Sequence, residues 1–185
     1  MKKIISALLL ISVSYFSVYA NDISDTVKVC GACHGAQGIS ADPTIPNLAG
    51  QKSIYMAMEV KAIRDGIRKN SLMDAVVKGL TDQQIDSLAV YFSKLEPSKV
   101  AAKEINQLGQ RTRAACISCH GIKGITVNEQ WPNLAGQKHK YLEKQLLAFK
   151  NDTRNGAYMQ VIAKELTDEQ IAAVAEYFSQ QPAGE

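Results

Sequence analysis

The sequence predicts an all-α chain built from two tandem copies of one small domain, and three observations lead there. A shift of 86 positions lays residues 30–93 onto 116–179 without a gap. Within each copy the apolar residues recur at helical spacing behind a capping signal. No stretch alternates polar and apolar over a useful strand length.

The chain opens with Lys2 and Lys3, an apolar run over residues 4–18 broken only by serines and a tyrosine, and a small residue at Ala20. This reads as a secretory signal peptide over residues 1–20. It is short for a membrane span, which needs about 20 apolar residues. Domain 1 is expected over 21–96 and domain 2 over 97–185, with the joint near Glu96-Pro97-Ser98, where proline stops the preceding helix.

The helix leading into the first repeat is expected to be short, about residues 23–29. Its counterpart should be longer, with Ile105, Leu108, Thr112 and Ala115 pointing one way. A middle helix follows Lys52, where Met56, Val60 and Ile63 make one apolar face, matched by Leu142, Leu146 and Phe149, with Gly66 as the stop. The last helix is the clearest. Thr81 with Gln84, and Thr167 with Gln170, fit capping boxes. Behind them Ile85, Leu88, Ala89 and Phe92 form a stripe that Ile171, Val174, Ala175 and Phe178 repeat. The chain between these helices, rich in Gly, Pro and Asn, is expected to be irregular.

Two motifs carry the chemistry. Cys30-Gly31-Ala32-Cys33-His34 and Cys116-Ile117-Ser118-Cys119-His120 each read C-x-x-C-H, the attachment pattern of a c-type haem. Two thiols on one turn of chain can each add to a haem vinyl group, and the following histidine is placed to reach the iron. Together the motifs use all four cysteines and two of the three histidines. Two disulfides would leave each of those histidines as coincidence. Paired C-x-x-C zinc sites lie much closer together, and a thioredoxin-like pair needs a βαβ context. The expected cofactors are two covalently attached haem c groups, bound through Cys30 and Cys33, and through Cys116 and Cys119. Thioether attachment outside the cytoplasm agrees with export.

Each iron then needs a sixth ligand or an open site. The repeat discriminates among the methionines. Met73 maps onto Met159, the only in-register pair; Met56 falls on the helix stripe opposite Leu142, and Met58 opposite Lys144. The metal ligands are therefore expected to be His34 with Met73 and His120 with Met159. Met73 and Met159 lie in what reads as non-repetitive chain. His139, the remaining histidine, aligns with Ser53 at a helix start and reads as exposed. A thioether raises the reduction potential relative to a second histidine. A filled iron favours carrying electrons over chemistry at the metal.

Removing Lys2 and Lys3 brings the formal charge from +3 to +1, and haem propionates would make the holoprotein mildly acidic. No basic run with interleaved aromatics points to nucleic acid. Residues 97–185 are slightly more basic than 21–96, enough for a dipole.

Over essentially the whole mature chain, these residues resemble the dihaem cytochrome c4 family of bacteria. The resemblance rests on both C-x-x-C-H motifs, the Pro-Asn-Leu-Ala-Gly-Gln segments at 46–51 and 132–137, Met73 and Met159, and the Leu-Thr-Asp-x-Gln-Ile…Tyr-Phe helices. It implies two class I cytochrome c-like folds related by a pseudo-twofold axis, with haems in facing pockets at the domain interface. It implies that the Pro46 and Pro132 carbonyls bind His34 and His120. It also implies periplasmic electron transfer, often from a quinol-oxidising complex to a terminal oxidase, with membrane association only through such partners. The expected role is an electron carrier, not an enzyme. The rivals are a dihaem peroxidase or thiosulfate-oxidising enzyme, which would need an iron that opens or has an unusual ligand, and a docked subunit. A lack of a lipobox-like cysteine and of a second apolar span leans toward a free carrier.

Overall fold

The computed structural model describes residues 23–100 and 104–184. The expected signal peptide and part of the connecting segment lie outside the described residues. Among those described, every regular element is helical. The first domain holds α1 (Ser24–His34), α2 (Ser53–Arg64), α3 (Ser71–Val77) and α4 (Asp82–Ser93). The second holds α5 (Gln107–Thr112), a 3-10 turn (Arg113–Ala115), α6 (Ile117–His120), α7 (His139–Lys150), α8 (Ala157–Lys164) and α9 (Asp168–Ser179).

Capping chemistry starts the last helix of each domain. The Thr81 hydroxyl accepts from the Gln84 N–H while the Gln84 side chain accepts from the Thr81 N–H, and Thr167 with Gln170 repeats the box. The stripes read from the sequence are the buried faces of α4 and α9. They pack against α2 and α7. Leu88, Ala89 and Phe92 form one core with Met56; Val174, Ala175, Tyr177 and Phe178 form the other with Leu142. Gly66, at φ +71°, ends the first middle helix as expected, its N–H returning to the Ile63 carbonyl.

Two local expectations are corrected. The helix into the first motif is the long one, running unbroken through Cys30 to His34, whereas the second copy splits into α5, a 3-10 turn and α6. Ile105 and Ala115 are exposed, and the buried face is Gly109, Thr112 and Cys116. The reason is the crossing of α5 with α9: a Cβ on Gly109 would collide with the Ala173 carbonyl. A glycine is invisible to an apolar-periodicity scan, yet it is the contact point. Second, Met73 and Met159 lie on α3 and α8, not in irregular chain. Elements of two turns are too short to show a period. α3 is started by Asn70, whose side chain accepts from the Met73 N–H at 3.2 Å.

The Pro-Asn-Leu-Ala-Gly-Gln segments join the two domains. Gln51 Oε1 accepts from the Asn133 N–H at 2.7 Å, and its Nε2 donates to the Asn133 carbonyl at 2.9 Å. Gln137 does the same with Asn47, at 2.8 and 2.9 Å. Asn47 Nδ2 donates to the Gly136 carbonyl, and Asn133 Nδ2 to that of Gly50. Each bond has its mate under the 86-residue shift, so the interface has the pseudo-twofold symmetry the family resemblance implied. The contacts made by Glu129 lack mates: Lys52 pairs with its carboxylate at 2.8 Å, the Tyr55 N–H donates to its carbonyl at 3.0 Å, and Pro43 stands where a second Glu129 would be.

Candidate haem sites

Each C-x-x-C-H motif is presented by a helix that stops at its histidine. His34 ends α1 and His120 ends α6, and the following glycines take φ +83° and +80°. A side chain there would be strained and would strike the Ile39 or Ile125 carbonyl. The glycine turns the chain back so that a loop closes over the motif. That loop is pinned alike in both domains. Ser40 Oγ donates to the Cys33 carbonyl at 3.0 Å, and Thr126 Oγ1 to that of Cys119 at 2.9 Å. The Asn47 and Asn133 side chains accept from the Ser40 and Thr126 N–H groups.

The histidines are buried, at 7% and 6% exposure. His34 Nδ1 donates to the Pro46 carbonyl at 2.8 Å and His120 Nδ1 to that of Pro132 at 3.0 Å. This fixes the ring orientation and leaves Nε2 as the bare nitrogen. Burial lowers the pKa of both imidazoles, with the carbonyl bond opposing. The rings are thus kept in the neutral form that a metal can use. No disulfide joins the four cysteines, so all four remain available to a porphyrin. Burial raises the Cys30 thiol and pushes Cys116 up to about 11.

Both motifs open on one cavity of about 1050 Å³, at the upper end of the roughly 300–1,000 Å³ usual for a single small-ligand site. Its wall carries Cys30, Cys33 and His34 from one domain and Cys116, Cys119 and His120 from the other. Met73 and Met159, both half-buried, are in the same wall. Apolar faces of α2 and α4, and of α7 and α9, line the remainder. Thiols, neutral imidazoles, thioethers and apolar walls in two matching sets fit two macrocycles. Met56 also lines the cavity. It is 7% exposed and packs in the first core, Met58 is 49% exposed, and neither Met58 nor His139 borders the cavity. His139 sits half-buried beside Glu143.

The sequence reading passed over a polar cluster in this wall: Tyr55, Glu59 and Arg68 from the first domain, Tyr141, Gln145 and Arg154 from the second. The available signal was the same 86-residue shift, which carries Arg68 onto Arg154 and Tyr55 onto Tyr141. Burial pushes the Tyr55 hydroxyl up. For Arg68 burial works downward, but the tyrosines and Glu59 outweigh it and hold the guanidinium charged.

Comparison with known proteins gives the same architecture. The family model described as Cytochrome c matches residues 22–96 and again 107–182. The cytochrome c4 of Pseudomonas aeruginosa is 33% identical, over 95% of this chain and 96% of that protein. A thiosulfate dehydrogenase electron acceptor from Thiomonas intermedia is 37% identical, over 83% of this chain and 78% of its own. The crystal structure of reduced cytochrome c4 from Pseudomonas stutzeri superposes with a TM-score of 0.79 at 29% identity, covering 85% of this chain and 95% of that one. With a repeated motif in each half and a relative aligned nearly end to end, the chain belongs to the dihaem cytochrome c4 family: electron-transfer proteins of two tandem cytochrome c domains with covalently bound haem c.

Proposed function

We propose that the protein is a periplasmic electron carrier, without turnover of its own, working between a quinol-oxidising complex and a terminal oxidase or other reductase. In this reading residues 1–20 are removed on export, and 21–96 and 97–185 are the two domains. Cys30 and Cys33, and Cys116 and Cys119, hold the porphyrins; His34 with Met73, and His120 with Met159, hold the irons. Among the described residues no helix is long and apolar enough to cross a membrane. The observation that carries the proposal is that each motif shares a cavity with the one methionine its repeat duplicates.

When bound, haem supplies a one-electron couple, and a neutral sulfur ligand favours its ferrous state. The protein contributes the rest. The Pro46 and Pro132 carbonyls hold the imidazoles in one orientation, so a change of charge requires little rearrangement. The apolar walls exclude water. With haem bound, Met73 and Met159 would hold the irons opposite His34 and His120 and would leave no site for oxygen or peroxide.

The Thiomonas relative favours a second reading of the donor: an enzyme oxidising thiosulfate, delivering electrons to this chain. Reduction of purified protein by such an enzyme plus thiosulfate, against reduction by a quinol-oxidising complex plus quinol, separates the two.

The test of the ligands is spectroscopic. Oxidised protein should show the weak near-infrared band of sulfur-ligated haem, scaled to two haems per chain. Met73→Ala and Met159→Ala should each remove about half of it, one of two matching ligands being lost. A high-spin wild-type spectrum, or rapid carbon monoxide uptake at both reduced centres, would refute the carrier reading.

A further inference from the structure

The polar cluster between the domains is symmetric in its hydrogen bonds and asymmetric in its charge. Arg68 Nη1 donates to Glu59 Oε2 at 2.6 Å, and Arg68 Nη2 to Gln145 Oε1 at 2.9 Å and to the Tyr141 hydroxyl at 3.3 Å. Arg154 mirrors this. Its Nη1 donates to Gln145 Oε1 at 2.8 Å, and its Nη2 to Glu59 Oε1 at 2.8 Å and to the Tyr55 hydroxyl at 3.3 Å. Each guanidinium thus bridges the domains and touches both position 59 and position 145. The two positions are partners under the 86-residue shift, but one is a glutamate and the other a glutamine.

The arginine side chains are 12% and 8% exposed and that of Glu59 is 25% exposed, so solvent screens these charges less than it would on an open surface. The two positive charges are related by the pseudo-twofold axis and act equally on the two halves. The single negative charge does not. Glu59 stands on α2, whose Met56 and Ile63 line the first domain's part of the cavity; Gln145 holds the equivalent place on α7 with no charge.

We propose that Glu59 makes the two haem centres electrically unequal, its carboxylate favouring the oxidised state of the first-domain haem over that of the second. A fixed negative charge favours the more positive oxidation state of a nearby iron, and its effect falls with distance and effective dielectric. Replacing Glu59 by glutamine keeps the shape and an acceptor oxygen while removing the charge. Phe149 lies 4.5 Å under the Arg154 guanidinium where the first domain has Ile63, a difference without formal charge. The cavity wall also holds Lys69 and Asp74, whose partners Asn155 and Gln160 are neutral and whose charges oppose each other, and Lys144 where the first domain has Met58. The Glu59 and Gln145 variants therefore isolate the cluster's own share.

The inference rests on the dihaem reading, so wild-type haem content is measured first; fewer than two haems per chain would fault that reading and not this one. Three holoproteins are then compared by spectroelectrochemical titration: Glu59→Gln, Gln145→Glu, and the swap carrying both changes. The centres are told apart by the methionine methyl NMR signals of the reduced protein, assigned with Met73→Ala. The measured quantity is the equilibrium constant for one electron shared between the haems. Glu59→Gln should move it about threefold or more toward the first-domain haem, ~28 mV at ~59 mV per tenfold for one electron. Gln145→Glu should move it the same way, by lowering the second-domain centre. The swap preserves the cluster's composition and net charge, and it should move the constant by roughly the product of the two single effects. Equal shifts of both centres in Glu59→Gln, or a swap with the wild-type constant, would overturn the proposal. A purely structural role would lower the unfolding temperature of the single variants and leave the swap's constant unchanged.

Discussion

Gly109 shows how much one missing side chain can decide. Ile23 occupies its place in the first domain and packs with Val27 against the α4 core, while Gly109 lets the backbone of α5 approach that of α9. Adding a methyl group there forces the helices apart. Gly109→Ala should cost about 1–3 kcal/mol, the usual cost of overpacking a filled site, and lower the unfolding temperature of the holoprotein. Gly79→Ala is the control. Nothing lies within 4 Å of a Cβ at Gly79 and its φ is not positive, so its effect should stay within about 0.5 kcal/mol. Equal effects of the two changes would show that the α5–α9 crossing is not close in solution.

At the scale of elements, the last helix of each domain was the most legible part of the sequence. Its cap residues and its stripe are both local, and both appear as read. Thr81→Ala and Thr167→Ala should each destabilise the protein by about 1 kcal/mol, read as a lower urea midpoint with an unchanged slope. No change in the midpoint would mean that the boxes are satisfied by water instead. Arg64 and Lys150 reinforce the same helix starts, reaching the Leu80 and Leu166 carbonyls and Asp82 and Asp168. The arginine holds the Asp82 carboxyl below its usual range, but an exposed pair contributes little. Less was legible where meaning is not local. α3 and α8 are two turns long and present no period to detect, although the repeat singles out Met73 and Met159, which both line the cavity. Gly109 leaves no hydrophobic mark. The interface asparagines and glutamines, and the Arg68–Glu59–Gln145–Arg154 cluster, are polar residues whose partners lie in the other copy. Periodicity within one copy could not connect them.

At the scale of the whole molecule, the question is what makes two small domains behave as one. A domain of this size buries too little apolar surface to be secure alone, and here each borrows a polar seam from its neighbour. Asn47 is bonded through its backbone to Gln137 and through its side chain to the Gly136 carbonyl, and Asn133 is bonded likewise to Gln51 and Gly50. Gln137→Leu keeps the approximate volume but strands the buried Asn47 N–H and carbonyl. Each stranded group costs about 1–3 kcal/mol, and both costs fall on the interface while the His120 and Met159 surroundings keep their own residues. The holoprotein should then keep two haems and its near-infrared band, yet its calorimetric transition should broaden or split as the halves unfold independently. Gln51→Leu should do the same through Asn133. Combining the two should cost less than their sum, because either alone loosens the same seam and coupled sites are not additive. Strict additivity, with one sharp transition at each step, would mean that the two glutamines stabilise their domains separately and that the domains are joined by other contacts, such as the Arg68 and Arg154 bridges.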